Sequence, residues 1–403
     1  MRSWRANFTA LLIAEALAMI GFGISAPVIP LFLEEDIGMT DPVKLKLWVG
    51  LINSSTALTM AIFAPIWGHL ADVFNRRAML LRAMFGGAII ISFMTFVTSA
   101  PQLLILKTIQ GCLTGTVAAA TVMTASIAPA THVAFALGLL QTVIAVGNSL
   151  GPLVGGLISD FFGHRPAFFS TGLTLALSGF FVLKWVDKDE GPSAAKKREK
   201  FTLIPDMRPV ISSPLLMTLM LVTLGVHSAN NAATPLLPLF LKSLVTDVSG
   251  SAFIASSTGI IMGLGAASTA IAAVLAGKFS AKAGYRKTLF FCLVAGAIVT
   301  IPQTFVTNVY QLGVLRTLSS FFIGGTVPVI SAIIAVSSEK KHQGTIFGID
   351  SSVTSAGHAL GPMIGSAAAI LSYRAAFLAS AVILFISAFA AVRRRSPDSA
   401  PGQ

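Results

Sequence analysis

Apolar residues run along this chain in stretches of about twenty or more, separated by short polar loops. A run of that length spans about 30 Å of hydrocarbon as a helix. Twelve are readable, at 8–33, 47–71, 78–99, 102–127, 133–158, 163–186, 211–242, 252–279, 286–306, 310–336, 343–369 and 373–392. Lipid offers no partner for a backbone N–H or C=O. Continuous apolar runs therefore predict helices, and they are too unbroken for barrel strands. The first run is too long for a secretory signal, and its Pro27-x-x-Pro30 returns later in the chain, so it counts as the first helix. The predicted fold class is an all-α membrane protein with twelve transmembrane helices.

The pattern is written twice. GNSLGPLVGG at 147–156 returns as GHALGPMIGS at 357–366, and PVIPLFLE at 27–34 returns as PLLPLFLK at 235–242. Gly68 matches Gly277, Asn75 matches Gly284 and Arg77 matches Arg286. LKT at 106–108 matches LRT at 315–317, and RPAFF at 165–169 matches RAAFL at 374–378. Correspondences in one order predict a duplication: two pseudo-symmetric six-helix bundles related by an axis along the membrane normal. The expected divisions are an N-terminal bundle at 1–186, a charged linker at 187–209, a C-terminal bundle at 210–395 and a tail at 396–403.

Composition agrees. Of 403 residues, 54% are hydrophobic and only 11% charged, against about 25% charged in a soluble domain; mean hydropathy is +0.82. The net charge of +12 raises the question of nucleic acid. Its distribution answers it. With the N-terminus inside, the inner segments hold 19 Lys and Arg and the outer loops 5, namely Lys44, Lys46, Arg165, Lys242 and Arg374. That bias predicts both termini in the cytoplasm. It supplies no folded basic face for nucleic acid. Trp4, Trp48, Trp67 and Trp185 fall near predicted helix ends, as an interfacial belt requires. Cys112 and Cys292 lie within helices and read as packing residues, not as a disulfide or metal framework.

GHLADVFNRR at 68–77 joins the second and third runs. Gly68 permits close helix approach, Asp72 can accept hydrogen bonds at a helix N-terminus, and Arg76 and Arg77 supply opposite charge. Such a cluster can latch the inner face; an ordinary basic turn uses the same residues. The pattern is similar to the signature loop of the major facilitator superfamily, with Val73 and Asn75 departing from it. The second copy keeps Gly277 and Arg286 but has Ala281 where Asp72 stands. Gly147, Gly151, Pro152, Gly155 and Gly156 resemble the motif of that superfamily's twelve-helix drug:proton antiporters; Gly357, Gly361, Pro362 and Gly365 form the second copy. Small residues there let helices pack backbone to backbone. LKTIQGCLTG at 106–115 resembles the family's fourth-helix motif, with Lys107 in place of its Arg and Gln110 at its polar position.

The resemblance implies the major facilitator fold and secondary transport. A proton-coupled carrier needs a group that binds and releases protons as access alternates. Glu15 and Asp350 are the acids that fall inside predicted helices, and Glu15 is the first candidate. Asp350 lies nearer a helix end. Snorkelling to the interface is the competing reading for Glu15 and for Lys107. Lys107, Gln110, His227, Asn230, Asn231 and Arg316 are the candidates for a substrate cavity. An interhelical hydrogen bond explains His227 equally well. His358 reads as packing between helices; His69, His132, His164 and His342 lie in or near loops and receive no role.

No phosphate loop, nucleophile elbow or metal-ligand spacing occurs, so neither an ATP-driven pump nor an enzyme is expected. The expected function is efflux of small amphipathic compounds by proton antiport with alternating access, the bundles 1–186 and 210–395 rocking. The expected setting is a bacterial inner membrane, as a monomer, with a proton gradient and no cofactor. A carrier of a sugar or organic anion, a lipid flippase and a non-transporting receptor are the alternatives.

Overall fold

A computed structural model describes residues 4–73, 76–129, 131–187, 207–245, 253–339 and 342–392. All of the described secondary structure is helical. Twelve segments follow one another: α1 (Trp4–Asp36), α2 (Pro42–Val73), α3 (Arg76–Met94), α4 (Ala100–Ile127), α5 (Val133–Phe162), α6 (His164–Trp185), α7 (Pro214–Leu244), α8 (Ile254–Ala283), α9 (Tyr285–Thr304), α10 (Val309–Ser337), α11 (Gln343–Leu371) and α12 (Tyr373–Val392). Among the described residues, eleven helices are long and apolar enough to cross a membrane. The remaining one, α11, has 29 residues and a length of about 44 Å. Asp350, His358 and a hydroxyl-rich stretch at 351–355 hold down its apolarity. The central part of the expected linker, 188–206, and the tail 396–403 lie outside the described residues.

Four helices break at positions matched by the repeat. α1 runs to Ile24, turns, and resumes at Ile29–Leu31; α7 runs to Ala232, tightens through Thr234–Leu236, and resumes at Leu237. The cause is the shared Pro-x-x-Pro: Pro27 and Pro30 in one, Pro235 and Pro238 in the other, each without an N–H to give. α4 stops at Leu113 and restarts at Thr116, around Gly115 at φ +131°. α10 stops at Gly324 and restarts at Thr326. The symmetry reaches single hydrogen bonds. Thr59 Oγ1 donates to the Thr108 carbonyl at 3.1 Å, and Ser268 Oγ to the Thr317 carbonyl at 2.9 Å.

The chain forms two compact units, residues 1–203 with 235–267, and residues 204–234 with 268–403. The repeat divides the chain at the linker; packing instead assigns the outer part of α7 and the first part of α8 to the first unit. In that unit α1 packs on α5 and α6, α2 on α4, and α3 on α6. Its core includes Leu11, Phe32, Leu80, Met84, Ile91 and Phe168, all below 2% exposure, with Phe32 and Phe168 edge to face at 5.1 Å. In the second unit α7 packs on α11 and α12, and α9 on α10 and α12. Leu219, Val222, Val226, Leu293, Val329 and Leu384 form its core. Large apolar side chains such as Phe93, Phe180, Phe291 and Phe389 point outward, as a lipid-facing surface demands.

Candidate functional site

Glu15 lies on α1 with no exposed surface. Among the described residues neither carboxylate oxygen has a hydrogen-bond partner of good geometry, although the Thr116 side chain is a neighbour. Thr116 is the first residue after the α4 break. The preceding residue on α1 is tied down: Ser178 Oγ of α6 donates to the Ala14 carbonyl at 2.6 Å. The acid therefore does not snorkel to an interface. An unsatisfied buried polar group costs about 1–3 kcal/mol, which packing alone does not explain.

Lys107 and Gln110 sit on the part of α4 before that break, each 6% exposed. Thr56 Oγ1 of α2 donates to the Lys107 backbone carbonyl at 3.2 Å. Gln110 Oε1 finds no partner among the described residues. Arg316 on α10 is as buried as its repeat partner Lys107, at 6%. Its Nη2 donates to the Asn230 carbonyl at 3.0 Å and to the Thr234 hydroxyl. Arg316 thus caps the α7 break, satisfying a carbonyl that the interrupted helix frees. Asn231 Nδ2 returns to its own helix, donating to the His227 carbonyl at 2.8 Å.

His227 on α7 and His358 on α11 form a pair, Nδ1 to Nε2 at 3.0 Å, rings edge to face. One nitrogen of the pair carries the shared hydrogen and the other accepts it. His358 packs between helices, and its bond to His227 is the interhelical hydrogen bond that competes with a cavity role for His227. Asp350, on the same α11, accepts from Thr223 Oγ1 of α7 at 3.0 Å.

The Gly-Pro motif is a packing seam in both copies. A Cβ at Gly151 would lie 2.7 Å from Gly23 Cα, and one at Gly155 2.6 Å from Ile24 Cα. Gly147 faces Met19 and Ile20 of the same helix α1. In the second copy Gly357 faces His227, Gly361 faces Ser228 and Asn231, and Gly365 faces Ala232, all on α7. Pro152 and Pro362 lie inside unbroken α5 and α11. Gly156 differs: its Cβ would meet the Ala255 backbone at the start of α8. Its counterpart is Ser366, 2% exposed.

The inner-loop motif is partly placed. Gly68 and Asp72 lie on the last turns of α2; their side-chain surroundings, and all of Asn75, are outside the described residues. Arg77 Nη2 donates to the Leu183 carbonyl of α6, and Arg286 Nε to the Ala391 carbonyl of α12 at 3.3 Å. Both arginines tie their loops to the sixth helix of the repeat. Arg76 begins α3, and Gly277 has open space around it.

The first unit carries a charged cluster at the end of the molecule holding the α1–α2 loop. Lys242 Nζ bridges Glu34 at 3.1 Å and Glu35 at 2.7 Å. Glu35 also meets His164 Nε2 at 3.1 Å, whose Nδ1 bonds Ser159. Arg165 pairs with Asp36 at 3.2 Å and donates to the Thr95 carbonyl at 2.6 Å. Asp160 accepts from the Ala255 and Ser256 amides at 3.1 and 2.7 Å, capping α8 where free N–H groups favour an anion. Gly156, Asp160 and Lys242 together fasten α5 and α1 to the segment 235–267.

The profile of the Major Facilitator Superfamily matches residues 11–267 and 249–403. The chain belongs to the Major Facilitator Superfamily. Multidrug resistance protein MdtG of Enterobacter lignolyticus (strain SCF1) is 32% identical over 405 residues, covering 100% of this chain and 96% of that protein. The MdtG of Proteus mirabilis (strain HI4320) is 31% identical, covering 96% and 94%. Among solved structures, the nucleoside transporter NupG superposes with a TM-score of 0.78 at 16% identity, covering 95% of this chain and 98% of NupG. The human organic anion transporter MFSD10 gives 0.68 at 18%, covering 97% and 100%. These two share the fold. This Major Facilitator chain is a multi-pass membrane transporter, not an enzyme.

Sequence reading missed the charged cluster of Glu34, Glu35, Asp160, His164 and Lys242. Its signal was present. Glu34 and Lys242 occupy one position of the repeat with opposite charges, and those two side chains pair with each other. Arg82 was missed as well. It lies over the Trp67 ring at 3.4 Å, and the Trp67 Nε1–H donates to the Cys112 carbonyl at 2.6 Å.

Proposed function

We propose that this transporter exports small amphipathic compounds from a bacterial cytoplasm in exchange for protons, by alternating access across the inner membrane. Glu15 carries the proposal: a carboxyl group wholly removed from water, beside the Thr116 hydroxyl at a helix break, with no hydrogen-bond partner of good geometry among the described residues. A group so placed has lost its hydration with little from the protein in exchange, so taking up or releasing a proton changes its energy strongly. The relatives named multidrug resistance protein at about a third identity support efflux as the direction. The termini lie in the cytoplasm, on the side of the basic loops. The gradient supplies the energy, no cofactor takes part, and the chain acts as a monomer.

In the proposed cycle, the charged cluster and the Gly156 contact would hold the outer side shut. Outward opening requires both to part. The breaks in α1, α4, α7 and α10 are where helix halves can tilt without losing regular hydrogen bonds along their length. Asp72, Arg76 and Arg77 would latch the inner side in the opposite state. Asp350 and the His227–His358 pair belong to the second unit and would respond to the proton-driven step there.

Carriage of a polar metabolite is the second reading, drawn from the buried cations Lys107 and Arg316. Arg316 already spends its Nη2 on the α7 break, which favours the first. Proteoliposomes with an imposed pH gradient separate the two. Cationic dyes should move against the proton flow with the native chain and not with Glu15→Gln. Movement of a sugar, nucleoside or anion in place of any dye would sink the efflux reading. Full coupling in Glu15→Gln would remove Glu15 from it.

A further inference from the structure

A cavity of about 550 Å³ opens on the flank of the second unit between α8, α9 and α10. Small-molecule sites run to roughly 300–1,000 Å³, so it has room for a ligand. Its wall is apolar: Ala272 and Ala276 at the floor, Phe279, Phe291 and Phe322 at the sides, and Gly325 at the α10 break. Lys278 and Lys282 line one end, one turn apart on α8 and both exposed. The rest of the wall offers almost nothing polar to hydrogen-bond a ligand, so recognition falls to these two ammonium groups.

Two observations set this place apart from an ordinary gap between helices. The first is charge. No Asp or Glu occurs anywhere between residues 248 and 338, the stretch that builds all three helices. The anion that balances Lys278 and Lys282 must come from outside that stretch. The second is the repeat. Ala276 occupies the position held in the first half by Trp67, and Phe291 the position held by Arg82. In the first half the Trp67 ring lies under the Arg82 guanidinium and bonds the Cys112 carbonyl, filling the corresponding space. In the second half an alanine leaves that space open. The groove is thus a difference between two copies of one design, made by loss of a large side chain.

We propose that this groove binds an anionic phospholipid of the leaflet on the basic-loop side. An acyl chain lies along Ala276, Phe279 and Phe291, and the phosphate meets Lys278 and Lys282. The lysine stems extend the apolar wall while their heads reach the headgroup level. The groove opens sideways among exposed Phe279, Phe291 and Leu275, where lipid is the surrounding solvent. A lysine near a membrane surface contributes about fivefold to anionic lipid binding, so the pair gives roughly thirtyfold over a neutral lipid.

Native mass spectrometry of the full-length protein, titrated with phosphatidylglycerol or phosphatidylcholine, tests this. The wild type should retain one phosphatidylglycerol roughly thirtyfold more tightly than phosphatidylcholine. Lys278→Gln/Lys282→Gln should lose that preference, and Ala276→Trp, which fills the groove as the first repeat does, should lose the tightly held lipid. The paired lysine change is on exposed side chains and leaves folding intact. If Ala276→Trp misfolds, Phe279→Trp replaces it. In bilayers with a minority of brominated phosphatidylglycerol, that tryptophan should be quenched more than the lipid's mole fraction predicts, and Lys278→Gln/Lys282→Gln should abolish the excess. Equal retention of both lipids by the wild type would overturn the proposal. So would unchanged preference in the lysine variant, or displacement of the bound species by a cationic dye but not by phosphatidylglycerol.

Discussion

Replacing Gly156 by alanine tests the proposed closure between α5 and the start of α8 most sharply. An added Cβ would lie 2.6 Å from the Ala255 carbonyl carbon and 2.7 Å from Ser256 Cα. Ordinary carbon contacts are about 3.5–4.0 Å, so α5 and the start of α8 must separate by about 1 Å. Both neighbours are backbone and cannot rotate aside. Overpacking of this kind costs about 1–3 kcal/mol. If α5 parts from the 253–267 segment in the proposed cycle, the strain exists only in the state that holds them together, and it would shift the balance of states instead of simply loosening the fold. A shift of that size would favour the proposed outward-open state by roughly five- to 150-fold. Gly155→Ala is the control. Its Cβ would lie 2.6 Å from Ile24 Cα, on α1 of the same repeat, a contact that the proposed rocking would leave in place. Spin labels at positions 161 and 253, whose native rings stand 6.1 Å apart, report the separation. Gly156→Ala should populate a longer distance at little cost in melting temperature; Gly155→Ala should lower the melting temperature and leave the distance alone. Equal destabilisation by both, with neither moving the labels, would refute the reasoning.

Other outcomes follow from the same geometry. Glu15→Met should raise thermal stability, since it removes an unsatisfied buried polar group worth about 1–3 kcal/mol, while proton-driven dye export in the same preparation is lost. Asp160→Asn keeps one acceptor but turns an amide N–H₂ toward a backbone N–H, so it should lose a charge-assisted bond of about 1.5–3 kcal/mol and lengthen the 161–253 distance without affecting the second unit. Arg316→Lys ends about one bond short of the Nη2 that meets the Asn230 carbonyl and Thr234, and should cost about 1–3 kcal/mol in thermal denaturation. Single changes of Lys242, Glu34 or Glu35 should each alter stability by about 1 kcal/mol or less, because these pairs are partly solvated.

The sequence alone determined the architecture. Lipid leaves a chain no choice but to pair its own backbone, so twenty-residue apolar runs had to be helices. The doubled Pro-x-x-Pro was legible as a repeat, and the structure shows that it breaks α1 and α7, because a missing N–H acts locally. Glycine spacing marked two helices as close-packing, since backbone-to-backbone approach needs such residues in series, while the partners α1 and α7 came from the structure. Glu15 stood out because acids within apolar runs are rare. What the sequence could not determine was who meets whom across distance. Whether Glu15 has partners depends on distant stretches of α4 and α6. His227 and His358 are 131 positions apart, and each reads as an isolated polar residue until α7 lies on α11. Glu34 and Lys242 looked like loop charges, though they are one repeat position in two signs. The groove beside Ala276 is an absence, and an absence has shape only once the walls around it are assembled. Periodicity and propensity act between near neighbours; pairing, satisfaction and empty space belong to the fold.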